Sequence, residues 1–296
     1  MPWLQLAVNS RHPEFVEELL LAAGAQAVSL VDAADHPVLE PAPGATPLWP
    51  QTKALGLFNA DVDLNVVRAL LRDNLPKPGD LAFEETQIED QDWVRAWLQH
   101  ARPLRFGKRL WICPSGHRVD AADAVVIDLD PGLAFGTGTH PSTALCLEWL
   151  ADADLEGRRV LDYGCGSGVL AIAALKLGAS DAQATDIDPQ ALLASADNAA
   201  RNGVTARLRS VMPEQLDAPS AAYDVVLANI LAGPLIALAP QLALHVKPGG
   251  WIVLAGLLQR QADEVRAAYA AWFDFDRPGE REGWTRLNGH RRTASI

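Results

Sequence analysis

A short segment in the second half of the chain joins an acidic side chain to three closely spaced glycines. Residues 160–168 read Val-Leu-Asp-Tyr-Gly-Cys-Gly-Ser-Gly, and an apolar stretch follows from Val169. This pattern predicts a buried strand, a tight glycine turn and a helix in immediate succession. Glycine permits a close approach of ligand to backbone that a Cβ would prevent. Because doubly wound α/β proteins bind nucleotides at such a turn, we expect a nucleotide-containing ligand to bind here.

Two ligands compete for this turn, a dinucleotide and S-adenosyl-L-methionine. A pyrophosphate binder is expected to show G-x-G-x-x-G/A, and Gly164, Gly166 and Gly168 are spaced differently. Asp162 lies two residues before the first glycine, where we expect its carboxylate to face the ligand. A negative charge there repels a pyrophosphate and attracts the sulfonium and ammonium groups of S-adenosylmethionine. The residues favour S-adenosylmethionine, with a nicotinamide-dependent oxidoreductase as the alternative.

Two polar side chains lie at the ends of later predicted strands. Asp186 ends the strand predicted for 182–186, and a carboxylate there can accept both hydroxyls of a ribose. We expect Asp188 to cap the next helix, which leaves Asp186 free for the ligand. Asn229 follows the strand predicted for 223–228, and its amide could hold an amine hydrogen while the nitrogen lone pair faces a methyl group. Helix capping is the structural alternative for both side chains.

The segment 130–143 is rich in glycine and threonine and precedes a helix predicted to begin near Pro141. Amides and hydroxyls at a helix N-terminus can donate to a carboxylate. The segment could therefore close over the methionine end of the cofactor, with Thr143 as a hydroxyl contact. An ordinary capped loop explains these residues equally well. We interpret His140, directly before a proline, as a structural residue and not as a catalytic base.

Other chemistries have no matching pattern. The chain has no HExxH, no paired cysteines, no clustered histidines, no GxSxG and no Walker A motif, so we expect no metal site and no hydrolase or P-loop function. Cys113, Cys146 and Cys165 are odd in number and far apart, which favours a reducing cytoplasm. Residues 1–10 lack the features of a signal peptide, and the apolar stretch 225–246 is interrupted by prolines and polar residues, which argues against a membrane span.

Alternating strands and helices from about residue 104 onward must position these side chains. Strands are predicted at 160–163, 182–186, 206–211, 223–228 and 251–255, and helices at 169–177, 189–201, from 229 to about 245, and at 261–272. The alternation predicts a mostly parallel, doubly wound sheet. The dipeptide Asn288-Gly289 predicts a type I′ hairpin that adds antiparallel strands at one end of the sheet.

The first ninety residues follow a different pattern. Strands are predicted at 3–8, 27–31, 54–58 and 81–88, and helices at 12–23 and 62–71, with a proline-rich loop between the second and third strands. The order predicts a small ferredoxin-like α+β sandwich. Residues 90–99 predict an isolated helix, so we divide the chain into an N-terminal domain (1–88), a connecting helix and linker (89–103) and an α/β domain (104–296).

The charge is distributed unevenly over these parts. The formal net charge is −12, and residues 1–102 carry 7 lysines and arginines against 15 aspartates and glutamates. An acidic surface repels phosphates, so we expect no direct binding of nucleic acid. It suits a basic partner, and solubility alone is the alternative explanation.

Several segments together resemble one bacterial family. LDPGLAFGTGTHPST, VLDYGCGSGVLAIAALKLGA, TDIDPQAL and VVLANILAGPL occur in order, as do the opening MPWLQL and the segment RFGKRLWICPS. In these residues the chain resembles the ribosomal protein L-eleven methyltransferases, the PrmA family, over nearly its whole length.

The resemblance implies a Rossmann-like class I methyltransferase domain that uses S-adenosyl-L-methionine, preceded by a small domain that recognises the protein substrate. It implies methylation of lysine side chains and the N-terminal amine of ribosomal protein L-eleven, by a cytoplasmic protein that we expect to be a monomer. Carried over by motif, Thr143, Gly164, Gly166, Asp186 and Asn229 would contact the cofactor, and Asn229 would also be catalytic. The motif Asn-Ile-Leu-Ala at 229–232 lacks the aromatic of many amino-methyltransferases, which favours a flexible aliphatic amine over a planar amide such as glutamine.

Overall fold

The structure is a computed structural model, which describes residues 3–34, 49, 51–75, 81–88, 102–129, 138–216 and 223–293. The chain divides into two compact units, Met1–Trp93 and Val94–Ile296, and each is described by itself. The predicted connecting helix at 90–99 and nearly all of the proline-rich loop lie outside the described residues. Within the described ranges, no helix combines the length and apolar character needed to cross a bilayer.

The first unit is a four-stranded antiparallel sheet with two helices. Its elements are β1 (Trp3–Asn9), α1 (Pro13–Ala22), β2 (Ala27–Asp32), β3 (Thr52–Asn59), α2 (Leu64–Asn74) and β4 (Ala82–Ile88). The sheet order is β2-β3-β1-β4, which is the ferredoxin-like arrangement and confirms that prediction. Pro13 starts α1, and the Asp63 side chain accepts a hydrogen bond from the Asn65 amide to cap α2.

A small three-stranded sheet opens the second unit, and the sequence analysis missed it. It consists of β5 (Leu104–Phe106), β6 (Leu110–Cys113) and β7 (Val125–Asp128). β5 and β6 are antiparallel, and β6 and β7 are parallel. The strands are only three or four residues long, too short for an alternating pattern to stand out.

The main sheet of the second unit positions the candidate site. Its strands are β8 (Arg159–Tyr163), β9 (Asp181–Thr185), β10 (Leu208–Val211), β11 (Tyr223–Asn229), β12 (Val246–Leu258), β13 (Phe273–Phe275), β14 (Gly279–Arg281) and β15 (Trp284–Arg291). The order is β10-β9-β8-β11-β12-β15-β13, with β14 paired to β15. The first five strands are parallel and β15 is antiparallel to its neighbours, as predicted for a doubly wound sheet.

Helices cover both faces of this sheet. They are α3 (Pro141–Asp152), α4 (Val169–Lys176), α5 (Pro189–Arg201), α6 (Ala232–Ala237), α7 (Ala239–His245) and α8 (Ala262–Tyr269). Consecutive residues of a strand pack on opposite faces of the sheet. Val225 packs with α3 and α4, and Val226 packs with α6, α7 and α8. Both are fully buried, which explains the continuous apolar runs of the parallel strands.

The hairpin predicted at Asn288-Gly289 is wrong. Both residues lie inside β15, which pairs with β12 on one side and β13 on the other. The Asn288 side chain is buried and donates to Asp276 Oδ2 at 2.9 Å, and a Cβ on Gly289 would lie 2.9 Å from the Asp274 carbonyl oxygen. These two residues therefore serve the close packing of β15 against its neighbouring strands, and they do not form a turn.

The helix predicted between Asn229 and about His245 is divided in two. α6 ends at Ala237 and α7 begins at Ala239, with Leu238 between them. Pro240 stands in the first turn of α7 and cannot donate the amide that would continue α6.

His245, the last residue of α7, provides a test of this core. It is 2 % exposed, its ring lies beside that of Tyr223, and its Nδ1 has no hydrogen-bond partner among the described residues. Burial lowers the pKa of His245 below its usual value. The unfolded chain then takes up a proton at this histidine as the pH falls below about 6.5, while the folded chain does not, so stability is lost in acid.

We therefore compare the wild type with His245→Leu, which cannot titrate at this position. Between pH 6.5 and 5.5, the unfolding free energy of the wild type is expected to fall relative to the variant, by at most about 1.4 kcal/mol. Denaturant unfolding at both pH values measures this difference. Two curves that run parallel with pH would contradict it.

Candidate active site

The glycine turn follows β8 at the carboxyl edge of the main sheet. Gly164, Gly166 and Gly168 have φ of 78°, 51° and 75°, a left-handed conformation that favours glycine. The amides of Gly164 and Cys165 both donate to the Thr185 carbonyl oxygen, at 2.7 and 3.0 Å. The turn is thereby attached to the end of β9, as the doubly wound prediction requires.

The glycines also let neighbouring segments approach the turn. A Cβ on Gly164 would lie 2.2 Å from Ile230 Cγ2, and a Cβ on Gly168 would lie 2.3 Å from Ser195 Oγ. A Cβ on Gly256 would lie 2.4 Å from the Ile230 carbonyl oxygen. The residue after Asn229 is therefore packed closely against two glycines.

Asp162 is placed differently from the prediction. Its side chain has no exposed surface, so it does not face an open ligand pocket. Oδ2 accepts a hydrogen bond from the Ala171 amide at 3.2 Å, and Oδ1 has no partner in the described part of the chain. Burial raises the pKa of Asp162 to about 7, and the charge of Asp186 adds to this rise. Only in its ionised form can Asp162 act on a cationic ligand through its charge.

Asp186 follows β9 and is not free, contrary to the prediction. Its Oδ2 accepts the Gly166 amide at 2.9 Å, and its Oδ1 accepts the Asp188 amide at 3.0 Å. Asp188 caps α5 as predicted, by accepting the Gln190 amide at 2.9 Å. A carboxylate has about four acceptor positions, so Asp186 retains capacity for hydroxyl donors. It links the glycine turn of β8 to the loop after β9.

Asn229 is the last residue of β11 and contacts a side chain from a distant helix. Its Nδ2 donates to Thr143 Oγ1 at 3.1 Å. Thr143 is 2 % exposed in the first turn of α3. Asn229 Oδ1 is buried and has no hydrogen-bond partner within the described ranges. The site thus contains an amide oxygen that can accept a hydrogen from a ligand.

His140 is the N-cap of α3. Its Nδ1 accepts the Ser142 amide at 3.3 Å and lies 2.8 Å from Ser142 Oγ. Its ring meets that of Trp284 edge-on, with 4.5 Å between centroids. Burial lowers the pKa of this imidazole. These contacts agree with the structural interpretation of His140.

The predicted site residues thus meet in two groups at one edge of the sheet. Gly166 contacts Asp186, and Thr143 contacts Asn229. Gly164 joins the groups through Ile230. Residues 130–137, predicted to close over the cofactor, lie outside the described residues.

Sequence reasoning missed three residues here. Gly256 supports the loop after Asn229, and Ile187, next to Asp186, is an apolar side chain left 81 % exposed at the site. Trp284 packs on His140. An apolar residue directly after a polar strand end was a visible signal for Ile187. Gly256 follows the residue of β12 that pairs with Asn229, so only the register of the two strands reveals its role. Trp284 depends on the antiparallel strands that the sequence misplaced.

Comparison with known proteins places this site in a family. The model of "Ribosomal protein L11 methyltransferase (PrmA)" matches residues 2–292. The chain is 56 % identical over 296 residues to a protein of that name from Pseudomonas aeruginosa, covering 99 % of both chains. It is 50 % identical over 294 residues to one from Aeromonas salmonicida, covering 98 % of this chain and 99 % of the relative.

A solved structure agrees with these relatives. The ribosomal protein L11 methylase of Lactobacillus delbrueckii subsp. bulgaricus is 31 % identical and superposes with a TM-score of 0.58, covering 65 % of this chain and 99 % of that chain. By the family model and by full-length relatives, the chain belongs to the ribosomal protein L11 methyltransferase (PrmA) family.

Proposed function

We propose that this protein transfers methyl groups from S-adenosyl-L-methionine to amino groups of ribosomal protein L11, on lysine side chains and the N-terminal amine. The observation that carries the proposal is the Asn229 amide, held by Thr143 with its Oδ1 buried and unpartnered among the described residues. The full-length relatives named for this activity support the choice of substrate.

The residues at the sheet edge fit the cofactor. The glycine turn places Gly166, which has no Cβ and a φ of 51°, beside Asp186, whose carboxylate has acceptor positions left for ribose hydroxyls. In its ionised form, Asp162 supplies negative charge for a cation. When bound, S-adenosylmethionine supplies an electrophilic methyl group on a positively charged sulfur.

Asn229 acts on the acceptor nitrogen. An amine must present its lone pair in line with the bond that breaks, so orientation is the main requirement. The Asn229 Oδ1 can accept one amine hydrogen, while Thr143 fixes the amide plane through Nδ2. A protonated lysine has no lone pair, and its deprotonation at pH 7 costs about 4–5 kcal/mol. Two cations placed close together favour loss of this proton, so no dedicated base is required.

The pKa of Asp162 predicts how cofactor binding depends on pH. Because this pKa is about 7, the carboxyl group is partly protonated at neutral pH. A cationic ligand favours the carboxylate, so binding releases a proton and weakens as the pH falls. The Kd for S-adenosylmethionine is expected to rise several-fold from pH 8 to pH 6, with a limit of about tenfold if only the ionised form binds. Calorimetric titration at each pH measures this change.

Asp162→Asn is the matched control for this experiment. The amide keeps the shape of the side chain but does not titrate, so its Kd is expected to lack this component of the pH response. S-adenosylhomocysteine, without the sulfonium charge, is expected to show a smaller response in the wild type. Equal pH responses of the wild type and Asp162→Asn would rule out the linkage.

The acidic first unit is proposed to recognise the protein substrate. In residues 1–102, which include this unit, the acidic residues outnumber the basic residues by 15 to 7. Ribosomal proteins are generally basic. Complementary charge speeds encounter and is screened by salt. Raising the salt from 50 to 300 mM is expected to raise the KM for L11 several-fold while the Kd for S-adenosylmethionine changes little. Equal salt responses would refute this role.

We further propose that the protein acts in the cytoplasm as a monomer and does not bind nucleic acid.

A labelling experiment tests the proposed function. The protein is incubated with methyl-labelled S-adenosylmethionine and either purified L11 or total bacterial ribosomal proteins, and mass spectrometry locates the label. Label on lysine and N-terminal amines of L11, lost in Asn229→Ala, is the expected result. Label on glutamine or on another protein, with L11 unlabelled, would overturn the proposal.

A further inference from the structure

A tight turn near the end of the chain holds a glutamate in an unfavourable conformation. β14 and β15 pair with Arg281 opposite Trp284, so the connecting loop is Glu282-Gly283. Glu282 has φ of 50°, and no other non-glycine residue in the described ranges has a positive φ. The first position of such a turn favours Asn, Asp or Gly, and other side chains are strained there. An outlier of this kind at an exposed position motivates a functional hypothesis for the side chain.

The turn lies beyond the carboxyl end of β12, on the side of the candidate active site. Ala255 of this strand pairs with Asn229, and Leu258, three residues further on, pairs with Trp284. The Trp284 ring also packs on His140, at 4.5 Å between centroids.

His140 connects this turn to the catalytic amide. It is the N-cap of α3, and Thr143 lies three residues further on, in the first turn of that helix. Thr143 in turn contacts the Asn229 amide at 3.1 Å. The Glu282 turn is therefore separated from Asn229 by one helical turn and a ring contact.

The chemistry of this cluster suits a cation. The Glu282 side chain is 72 % exposed, and its Oε1 lies 3.7 Å from Arg281 Nε, while the shorter ion pair of Arg281, at 2.9 Å, is with Glu148. The Glu282 carboxylate is thus open to a second partner. Trp284, two residues further along the chain, is partly exposed. Its indole can attract a cation through the π face, and the Glu282 carboxylate can attract the same cation through its negative charge.

We propose that Glu282 and Trp284, supported by His140, form a cation subsite that binds a lysine or arginine side chain of the protein substrate next to the amine that is methylated. The proposal rests on the proposed function, because it assigns the subsite to the same reaction. It concerns affinity for the protein substrate and leaves the cofactor untouched.

Two substitutions of Glu282 distinguish the effect of its side-chain charge from the effect of its strained backbone. Glu282→Asn removes the charge and relieves the strained φ, and Glu282→Asp relieves the strain but keeps the charge. Both are expected to raise Tm, by about 2 °C. The KM for L11 is expected to rise about fivefold in Glu282→Asn and to stay within twofold of the wild type in Glu282→Asp. In both, kcat and the Kd for S-adenosylmethionine stay unchanged.

The outcomes distinguish this proposal from the proposed function. If the wild type does not label L11, the proposed function fails. If it does, and Glu282→Asn keeps the wild-type KM, or both variants raise KM equally, only the subsite is overturned. Trp284→Phe, which keeps a ring, is expected to retain more affinity for L11 than Trp284→Leu at equal affinity for S-adenosylmethionine. Equal KM values for these two variants would remove Trp284 from the subsite.

Discussion

Replacing Asn229 by Ala is expected to lower kcat by about 10²-fold or more while the Kd for S-adenosylmethionine changes by less than about threefold. The substitution removes the unpartnered amide oxygen and also the hydrogen bond to Thr143. The acceptor amine then enters without orientation, and its lone pair seldom aligns with the methyl group. Single-turnover kinetics with L11 and calorimetry with S-adenosylmethionine measure the two quantities separately.

Thr143 provides the matched control for this prediction. Thr143→Val keeps the shape of the side chain but cannot accept the hydrogen from Asn229, so kcat is expected to fall less than in Asn229→Ala, by about tenfold. Thr143→Ser keeps the hydroxyl and is expected to stay close to the wild type. If Asn229→Ala loses cofactor affinity and turnover to the same extent, Asn229 serves the cofactor alone and our catalytic assignment is wrong.

Replacing Asp186 by Ala is expected to weaken binding of S-adenosylmethionine by about 10²-fold, because each hydrogen bond to a charged group contributes about 1.5–3 kcal/mol. Two contributions are lost together. The ribose loses its proposed acceptor, and the amides of Gly166 and Asp188 lose theirs. Calorimetry gives the Kd, and unchanged binding would refute the role of Asp186.

A modified ligand separates these two contributions. A 2′-deoxy analogue of S-adenosylhomocysteine is expected to bind the wild type about tenfold more weakly than S-adenosylhomocysteine itself, and Asp186→Ala is expected to bind both equally. Asp186→Asn retains one acceptor oxygen and is expected to lie between the wild type and Asp186→Ala. A loss for the deoxy analogue that persists in Asp186→Ala would mean that Asp186 only supports the glycine turn.

The two predictions also differ in how far the sequence alone could support them. The sequence pattern identifies the strand that Asp186 follows. The role of Asp186 in cofactor binding and the role of Asn229 in catalysis stay predictions. The hydrogen bond from the Gly166 amide to Asp186 joins residues 20 apart in the chain, and only the turn geometry could reveal it. The Thr143–Asn229 contact joins residues 86 apart, because α3 packs against the end of β11.

Errors of the sequence analysis have a common physical cause. The strands β5 to β7 are too short to produce a periodic pattern, and Asn288-Gly289 resembles a turn although it lies in a strand paired on both sides. Local propensity is a weak influence where a central strand must pack closely. The chain instead turns at Glu282-Gly283, which propensity disfavours.

By itself the sequence determined the ferredoxin-like first unit, the parallel doubly wound sheet, the glycine turn and the family, because hydrophobic periodicity and glycine spacing are local properties of the chain. Only the tertiary structure decided that Asp162 is fully buried, that Asp186 already accepts two amides, and that Thr143 orients Asn229. It also decided that Glu282 and Trp284 lie on the active-site side of the sheet. These facts depend on burial and on contacts between distant segments, which no pattern of neighbouring residues encodes.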